Sequence, residues 1–229
     1  MRQLAGLVAA LALAGCGLKL VDLGPAPDLY DLNPKAQFDQ QMTAVSWQLV
    51  VDEPSTPSVL DTDRILVREG VNEVKYIAEA RWAERTPRLV QSTLVEAFDQ
   101  SGWIVGVGRT AIGLRGDYAL QSELRAFDTV YGSGGPTVHI AITFKLVRQP
   151  YAKIIASKTF DESVHAGGSS MRSIATSYET ALGQVLSGIV PWVLTEAERD
   201  YEQRIANRRP GAKEGDRPES APNGPRASP

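Results

Sequence analysis

Apolar and polar residues alternate with a period of two in two consecutive stretches of this chain. In the first, Tyr118, Leu120, Leu124 and Ala126 are interleaved with Gln121, Glu123 and Arg125; in the second, Val138, Ile140, Ile142, Phe144 and Leu146 recur at every other position. Between them lies Gly132-Ser133-Gly134-Gly135-Pro136. Alternation of this kind marks strands with one buried and one solvated face, and a glycine-rich turn between two such strands makes them antiparallel neighbours. A chain built around such a pair must find a second layer to cover the apolar face.

The cover is supplied by two helical patterns. Thr86 offers an N-cap and Pro87 fits the first helical position; Val90, Leu94, Ala97 and Phe98 follow at helical spacing, and Gly102 ends the segment. Later, Ile174, Tyr178, Ala181, Leu182, Val185 and Ile189 form an apolar stripe. Pro191 is expected to break or kink that helix, with Thr195 and Glu198 as a capping box opening a polar helical tail. Shorter strand patterns occupy Ser46 to Val51, Arg64 to Val67, Val74 to Trp82 and Trp103 to Val107, and Gln149-Pro150 turns the chain into Ile154 to Val164. The expected fold is α+β: a mostly antiparallel sheet of five or six strands with two helices packed on one face.

The first residues address the chain to a membrane. Met1, Arg2 and Gln3 form a short basic start, Leu4 to Leu13 is an uncharged apolar run, and Leu13-Ala14-Gly15-Cys16 closes it. This is the layout of a secretory signal, and its apolar run is too short to span a bilayer of about 30 Å. Leu-Ala-Gly-Cys looks like a bacterial lipobox, in which the cysteine thiol is acylated and the signal is cut just before it. Cys16 is the only cysteine, so its acylation leaves no thiol for a disulfide, a nucleophile or a metal. Gly17 follows, with no aspartate beside it, which in enteric sorting logic points to the outer membrane.

The expected organisation is a signal over 1–15, a lipidated tether over 16–42 that includes Gly24-Pro25-Ala26-Pro27, a globular domain over 43–206 and a disordered tail over 207–229. Hydrophobic content of 43% and charged content of 22% suit one globular domain, and a net charge of −3 gives no sign of nucleic-acid binding.

No catalytic, cofactor or metal constellation is legible. His139 and His165 have no histidine or cysteine near them at ligand spacing. Ser169 and Ser170 beside His165 lack a nucleophile elbow and sit where the last helix begins, so helix capping competes with a hydrolase reading. Gly106-Val107-Gly108 fails the dinucleotide pattern at Ala111, and no P-loop lysine is present. The densest polar-aromatic groups are Asp63-Arg64 and Arg81, Trp82, Glu84 and Arg85. They read either as a structural ion pair under a tryptophan lid or as a partner-contact surface, since Trp and Arg are enriched at interface hot spots.

Several stretches, in order, resemble one family. Leu60-Asp61-Thr62-Asp63-Arg64-Ile65-Leu66-Val67-Arg68, Val74 to Glu84 with its Arg81-Trp82 pair, Tyr30-Asp31-Leu32, Asp117-Tyr118-Ala119-Leu120 and Leu124-Arg125-Ala126-Phe127 are similar to segments of the ABC-type transport auxiliary lipoproteins, the PqiC-like group. The resemblance implies a fold similar to the amino-terminal domain of TolB and a non-enzymatic accessory role in envelope lipid transport. It implies an MCE-domain protein and an ABC permease and ATPase as partners, a Gram-negative envelope location facing the periplasm, and room for a homo-oligomeric ring. Cys16 carries over as the lipid attachment point; Asp63, Arg64, Arg81 and Trp82 carry over only as candidate contacts. A periplasmic lipid- or hydrophobic-solute-binding lipoprotein is the alternative, and it requires an apolar pocket of roughly 300 Å³ or more.

Overall fold

The computed structural model describes residues 25–39, 41–70, 72–110 and 116–208. The signal, Cys16, Ala111 and the tail beyond Arg208 lie outside the described residues. The elements in order are β1 (Asp28–Tyr30), β2 (Val45–Val51), β3 (Arg64–Glu69), β4 (Glu73–Trp82), α1 (Thr86–Ser101), β5 (Ile104–Arg109), β6 (Tyr118–Gly132), β7 (Gly135–Arg148), β8 (Lys153–His165) and α2 (Met171–Arg208). The α+β class is as the sequence predicts.

The alternating stretches form the hairpin β6–β7, which pairs from Tyr118↔Arg148 to Gly132↔Gly135 across a turn at Ser133-Gly134. Gly135 sits at φ +106°, a backbone conformation that L side chains rarely adopt. β8 adds antiparallel to β7. On its other side β6 is lined by two strands in succession, both parallel to it: β2 against Leu120, then β3 against Asp128 to Tyr131. β5 lies parallel outside β2, and β4 and β1 lie outside β3, giving a forked eight-stranded sheet.

This sheet is mixed, a correction to the expectation of mostly antiparallel neighbours. Short connections imply reversal only when they turn the chain, and the β2–β3 connection does not. Val51 pairs with Leu120, Ser55 bridges Glu123 and Leu66 pairs with Asp128, so the chain keeps travelling along one edge of β6. Pro54 and Pro57 interrupt the ladder there because proline has no N–H to give.

One apolar layer joins the sheet to both helices. The predicted stripe of α2 is buried throughout, facing Val138, Ile140, Ile142, Phe144 and Leu146 of β7. Trp82, Phe127 and Tyr178 meet ring to ring, with centroids 4.8–5.9 Å apart. Burial pushes the Tyr178 phenol well above its ordinary range, and Thr129 Oγ1 donates to its oxygen at 3.1 Å.

Three helix expectations are corrected. Arg85, not Thr86, is the N-cap of α1, and it makes no side-chain cap. The Thr86 N–H and hydroxyl both turn to the Thr62 carbonyl, at 2.9 and 3.0 Å, which ties the helix start to the loop before β3. Pro191 does not end α2, which runs through it for 38 residues. Val190, Val193, Leu194 and Ala197 are all fully buried around that proline, and packing on this scale outweighs the roughly 3 kcal/mol that a helix-interior proline costs. Consequently Thr195 caps nothing: its hydroxyl donates to the Pro191 carbonyl at 2.8 Å, while Glu198 accepts the Trp47 indole N–H at 2.7 Å.

The tether expected over 16–42 is also shorter than predicted, because residues from Asp28 on are docked. β1 pairs parallel with Ala80 to Trp82 and Leu32 is buried. The following segment runs along α2, where the Asn33 N–H donates to Glu179 and the Gln37 N–H to Ser187 Oγ. Gly183 makes this approach possible: a Cβ there would lie 2.8 Å from the Lys35 carbonyl oxygen. The tail expected from residue 207 begins later, since α2 includes Asn207 and Arg208.

Gly183→Ala should therefore destabilise by about 1–3 kcal/mol through overpacking, although the same change in an open helix stabilises by about 1 kcal/mol. Thermal melts, with limited proteolysis of the 33–39 segment, measure the sign. Stability should also fall above about pH 10, because the Tyr178 phenol ionises in the unfolded chain near its ordinary value but stays protonated when folded. Tyr178→Phe should remove one proton from that slope in alkaline denaturation titrations.

Candidate docking face

The sequence-predicted contact residues converge at one end of the sheet, where β3 begins, β4 ends and α1 starts. Arg64 pairs with Arg81 across the strands, and the Trp82 N–H donates to the Asp63 carbonyl at 2.7 Å. Arg81 binds Asp63 with a closest approach of 3.1 Å, both side chains about 40% exposed. The Arg64 guanidinium lies 4.0 Å from the centre of the Tyr76 ring, and the Tyr76 hydroxyl is held by the Val59 carbonyl at 2.9 Å. Arg85 adds an ion pair with Asp61 and a contact of 3.4 Å with Glu53. The result is an exposed patch of interleaved charge of both signs.

Trp82 does not belong to that patch. It is 1% exposed and packs against Phe127 and Tyr178. Neighbours on a strand face opposite sides of the sheet, so Arg81 reaches solvent while Trp82 enters the core. The lid and contact readings of the tryptophan both give way to a packing role, whereas Asp63, Arg64 and Arg81 stay accessible.

A buried ion pair was not legible in the sequence. Asp128 is fully buried on the outward face of β6, and Arg68 Nε donates to its Oδ2 at 2.6 Å. Its other oxygen has no hydrogen-bond partner among the described residues; His139 Nδ1 lies 4.0 Å from it, and His139 Nε2 lies 2.9 Å from Asp161. Alternation alone marks Asp128 as solvated, because Phe127 and Thr129 on either side of it are buried on the helix side. The partner comes from β3, 60 residues away, so no local signal exists. At the other end of the sheet, the Tyr118 hydroxyl lies 2.9 Å from Asp200 Oδ2. Arg148 binds the same carboxylate at 2.8 Å, and burial with that hydrogen bond pushes the phenol upward.

The serine and histidine candidates serve local structure. Ser170 Oγ accepts the Ser173 N–H at 3.2 Å at the start of α2, and His165 contacts the Thr137 hydroxyl at 3.3 Å on the neighbouring strand. Among the described residues no three His, Cys, Asp or Glu side chains converge as metal ligands, and no helix is long and apolar enough to cross a membrane.

Two larger clefts open at the surface. One, of about 580 Å³, is a polar groove between the 33–39 segment and α2, with Lys35, Glu179 and Gln184 in its walls. The other, of about 550 Å³, has Val50 and Pro150 beside Asp52, Asp117 and Arg204. Both are large enough for a ligand, but charged groups in their walls are ill matched to an acyl chain, and the sheet–helix interface itself is filled by side chains.

The profile of the ABC-type transport auxiliary lipoprotein components matches residues 30–190. This chain belongs to that family. The match starts at Tyr30 of β1 and covers every strand from β2 to β8, the charged patch and α2 as far as Val190. A crystal structure of protein XCC0632 from Xanthomonas campestris, of the DUF330 family, superposes with a TM-score of 0.72 at 29% identity, covering 76% of this chain and 99% of that one. A further crystal structure of an uncharacterised protein shares the fold at a TM-score of 0.58 and 15% identity, covering 74% and 99%. The protein bll6063 of Bradyrhizobium diazoefficiens is 24% identical over 181 residues, 78% of this chain; the chain spans about half, 48%, of that relative. The family is an auxiliary component of transport rather than an enzyme family.

Removing the arginine from the buried pair should be costly. Arg68→Ala is expected to destabilise by about 3 kcal/mol, since it leaves the Asp128 carboxylate buried and uncompensated. Arg68→Ala combined with Asp128→Ala should cost less than Arg68→Ala alone, a sign that urea titration of the variants resolves.

Proposed function

We propose that this chain is a membrane-anchored accessory lipoprotein of an MCE/ABC-type intermembrane lipid transport system. Lipid on Cys16 holds it to the envelope, at the periplasmic face of the outer membrane, and its folded domain docks an MCE-domain protein together with the permease and ATPase. The observation that carries this reading is membership of the auxiliary lipoprotein family over most of the folded residues. ATP hydrolysis belongs to the partner subunit.

The fold suits an anchored dock. Leu29 and Tyr30 of β1 pair with Arg81 and Trp82, so the segment arriving from the membrane joins the sheet beside the patch of Asp63, Arg64 and Arg81. From Cys16 to Asp28 an extended chain reaches about 37 Å. That length lets the patch meet a partner standing off the bilayer while limiting how far it strays. Interleaved charges select and orient a complementary partner more than they supply raw affinity, which matches an accessory that must seat in one orientation.

The test is photo-cross-linking in intact envelopes from a reactive residue placed at Arg64 or Arg81. The expected product contains an MCE-domain or permease subunit, and Cys16→Ser should release the chain from the membrane fraction and abolish that product. Arg64→Glu should lower the yield from position 81 about tenfold with little change in melting temperature, since exposed ion pairs and cation–π contacts contribute only about 1 kcal/mol. Recovery of neither subunit from either position would reject the reading.

A further inference from the structure

β8 is a 13-residue strand at the edge of the sheet. It pairs with β7 alone, so its second row of backbone N–H and C=O groups has no strand beside it. Long open edges are hazards that proteins blunt with charge or cover with a partner. The charges on β8 are arranged for the second outcome.

Lys158, Phe160 and Glu162 project to the same face, because their partners on β7 are Phe144, Ile142 and Ile140, all buried on the helix side. Phe160 is buried against Phe144, with ring centroids 5.9 Å apart, and α2 passes it at Gly188. Lys158 Nζ rests 4.9 Å from the centre of the Phe160 ring. No ion pair to Lys158 or Glu162 forms among the described residues. The two cannot pair with each other, being four residues and about 13 Å apart along the strand.

We propose that β8 pairs antiparallel with the β8 of a second copy of this chain, in the register that sets Phe160 opposite Phe160. In a two-fold antiparallel seam, outward-pointing backbone groups recur at alternate residues, so one residue must face its own copy. Centred on Phe160, Lys158 of each copy stands directly opposite Glu162 of the other, twice over. Thr159 then faces Asp161 and Ser157 faces Ser163. Centring on Lys158, Asp161 or Glu162 would set like charges face to face, which is destabilising. The charge pattern thus selects its own register, and the occupant it fits is a copy of itself. This interface goes beyond the transport reading and does not depend on it.

The test uses the full chain carrying two different affinity tags, co-expressed and extracted in detergent. Wild-type copies should co-purify. Lys158→Glu in both copies should weaken that association about tenfold, as should Glu162→Lys in both copies, because each turns two attractive pairs repulsive. A Lys158→Glu copy expressed with a Glu162→Lys copy should associate as wild type does, since the complementary pairs are restored. That rescue also shows that both variants fold. Absence of wild-type co-purification, single variants that associate normally, or failure of the mixed pair to recover would each overturn the proposal. None of these outcomes bears on cross-linking from Arg64 or Arg81, which tests the transport role separately.

Discussion

Everything in this molecule is registered to β6. It is the longest strand, and it exchanges backbone hydrogen bonds with β7 on one side and with β2, Ser55 and β3 in turn on the other. Because β2 and β3 share one edge of one strand, the sheet forks into two wings, β2–β5 and β3–β4–β1. Phe127 of β6 carries that registration into the helical layer, where it meets Trp82 from one wing and Tyr178 from α2. Displacing β6 by one residue would turn Phe127 to the outside and Asp128 into the core.

The same strand separates packing from recognition. Its helix-facing residues join a filled apolar layer, so the domain offers its surfaces rather than its interior to other molecules. The charged patch at the start of β3, the polar groove beside α2 and the free edge of β8 lie on different parts of that surface. An accessory component that touches a membrane, a transport complex and its own copy needs such separated faces, and a rigid sheet keeps them at fixed distances from one another.

Anchoring and folding meet at β1. The three residues Asp28–Tyr30 add to β4, and the chain then lies across α2 where Gly183 leaves space for the Lys35 carbonyl. The segment that would otherwise be a passive spacer thereby becomes part of the domain. Force or restraint arriving from the membrane is delivered to the edge of the sheet, close to Arg81, rather than to a loose terminus.

Local pattern determined much of this protein. Period-two alternation placed β6 and β7, the Gly132–Pro136 turn joined them, and the spacing from Ile174 to Ile189 identified the buried face of α2. Such signals are readable because each depends on residues a few positions apart. The ordered segments around Asp63-Arg64 and Arg81-Trp82 likewise pointed to the family. Tertiary structure decided whatever depended on distant partners: the parallel course of β2 and β3 along β6, the docking of residues 28–38, and the continuity of α2 through Pro191 under buried neighbours. It also sent Trp82 inward while Arg81 stayed outside, and it gave Asp128 an arginine from β3. In each of these cases the deciding contact joins residues that the sequence holds far apart, and only packing of the whole sheet brings them within reach.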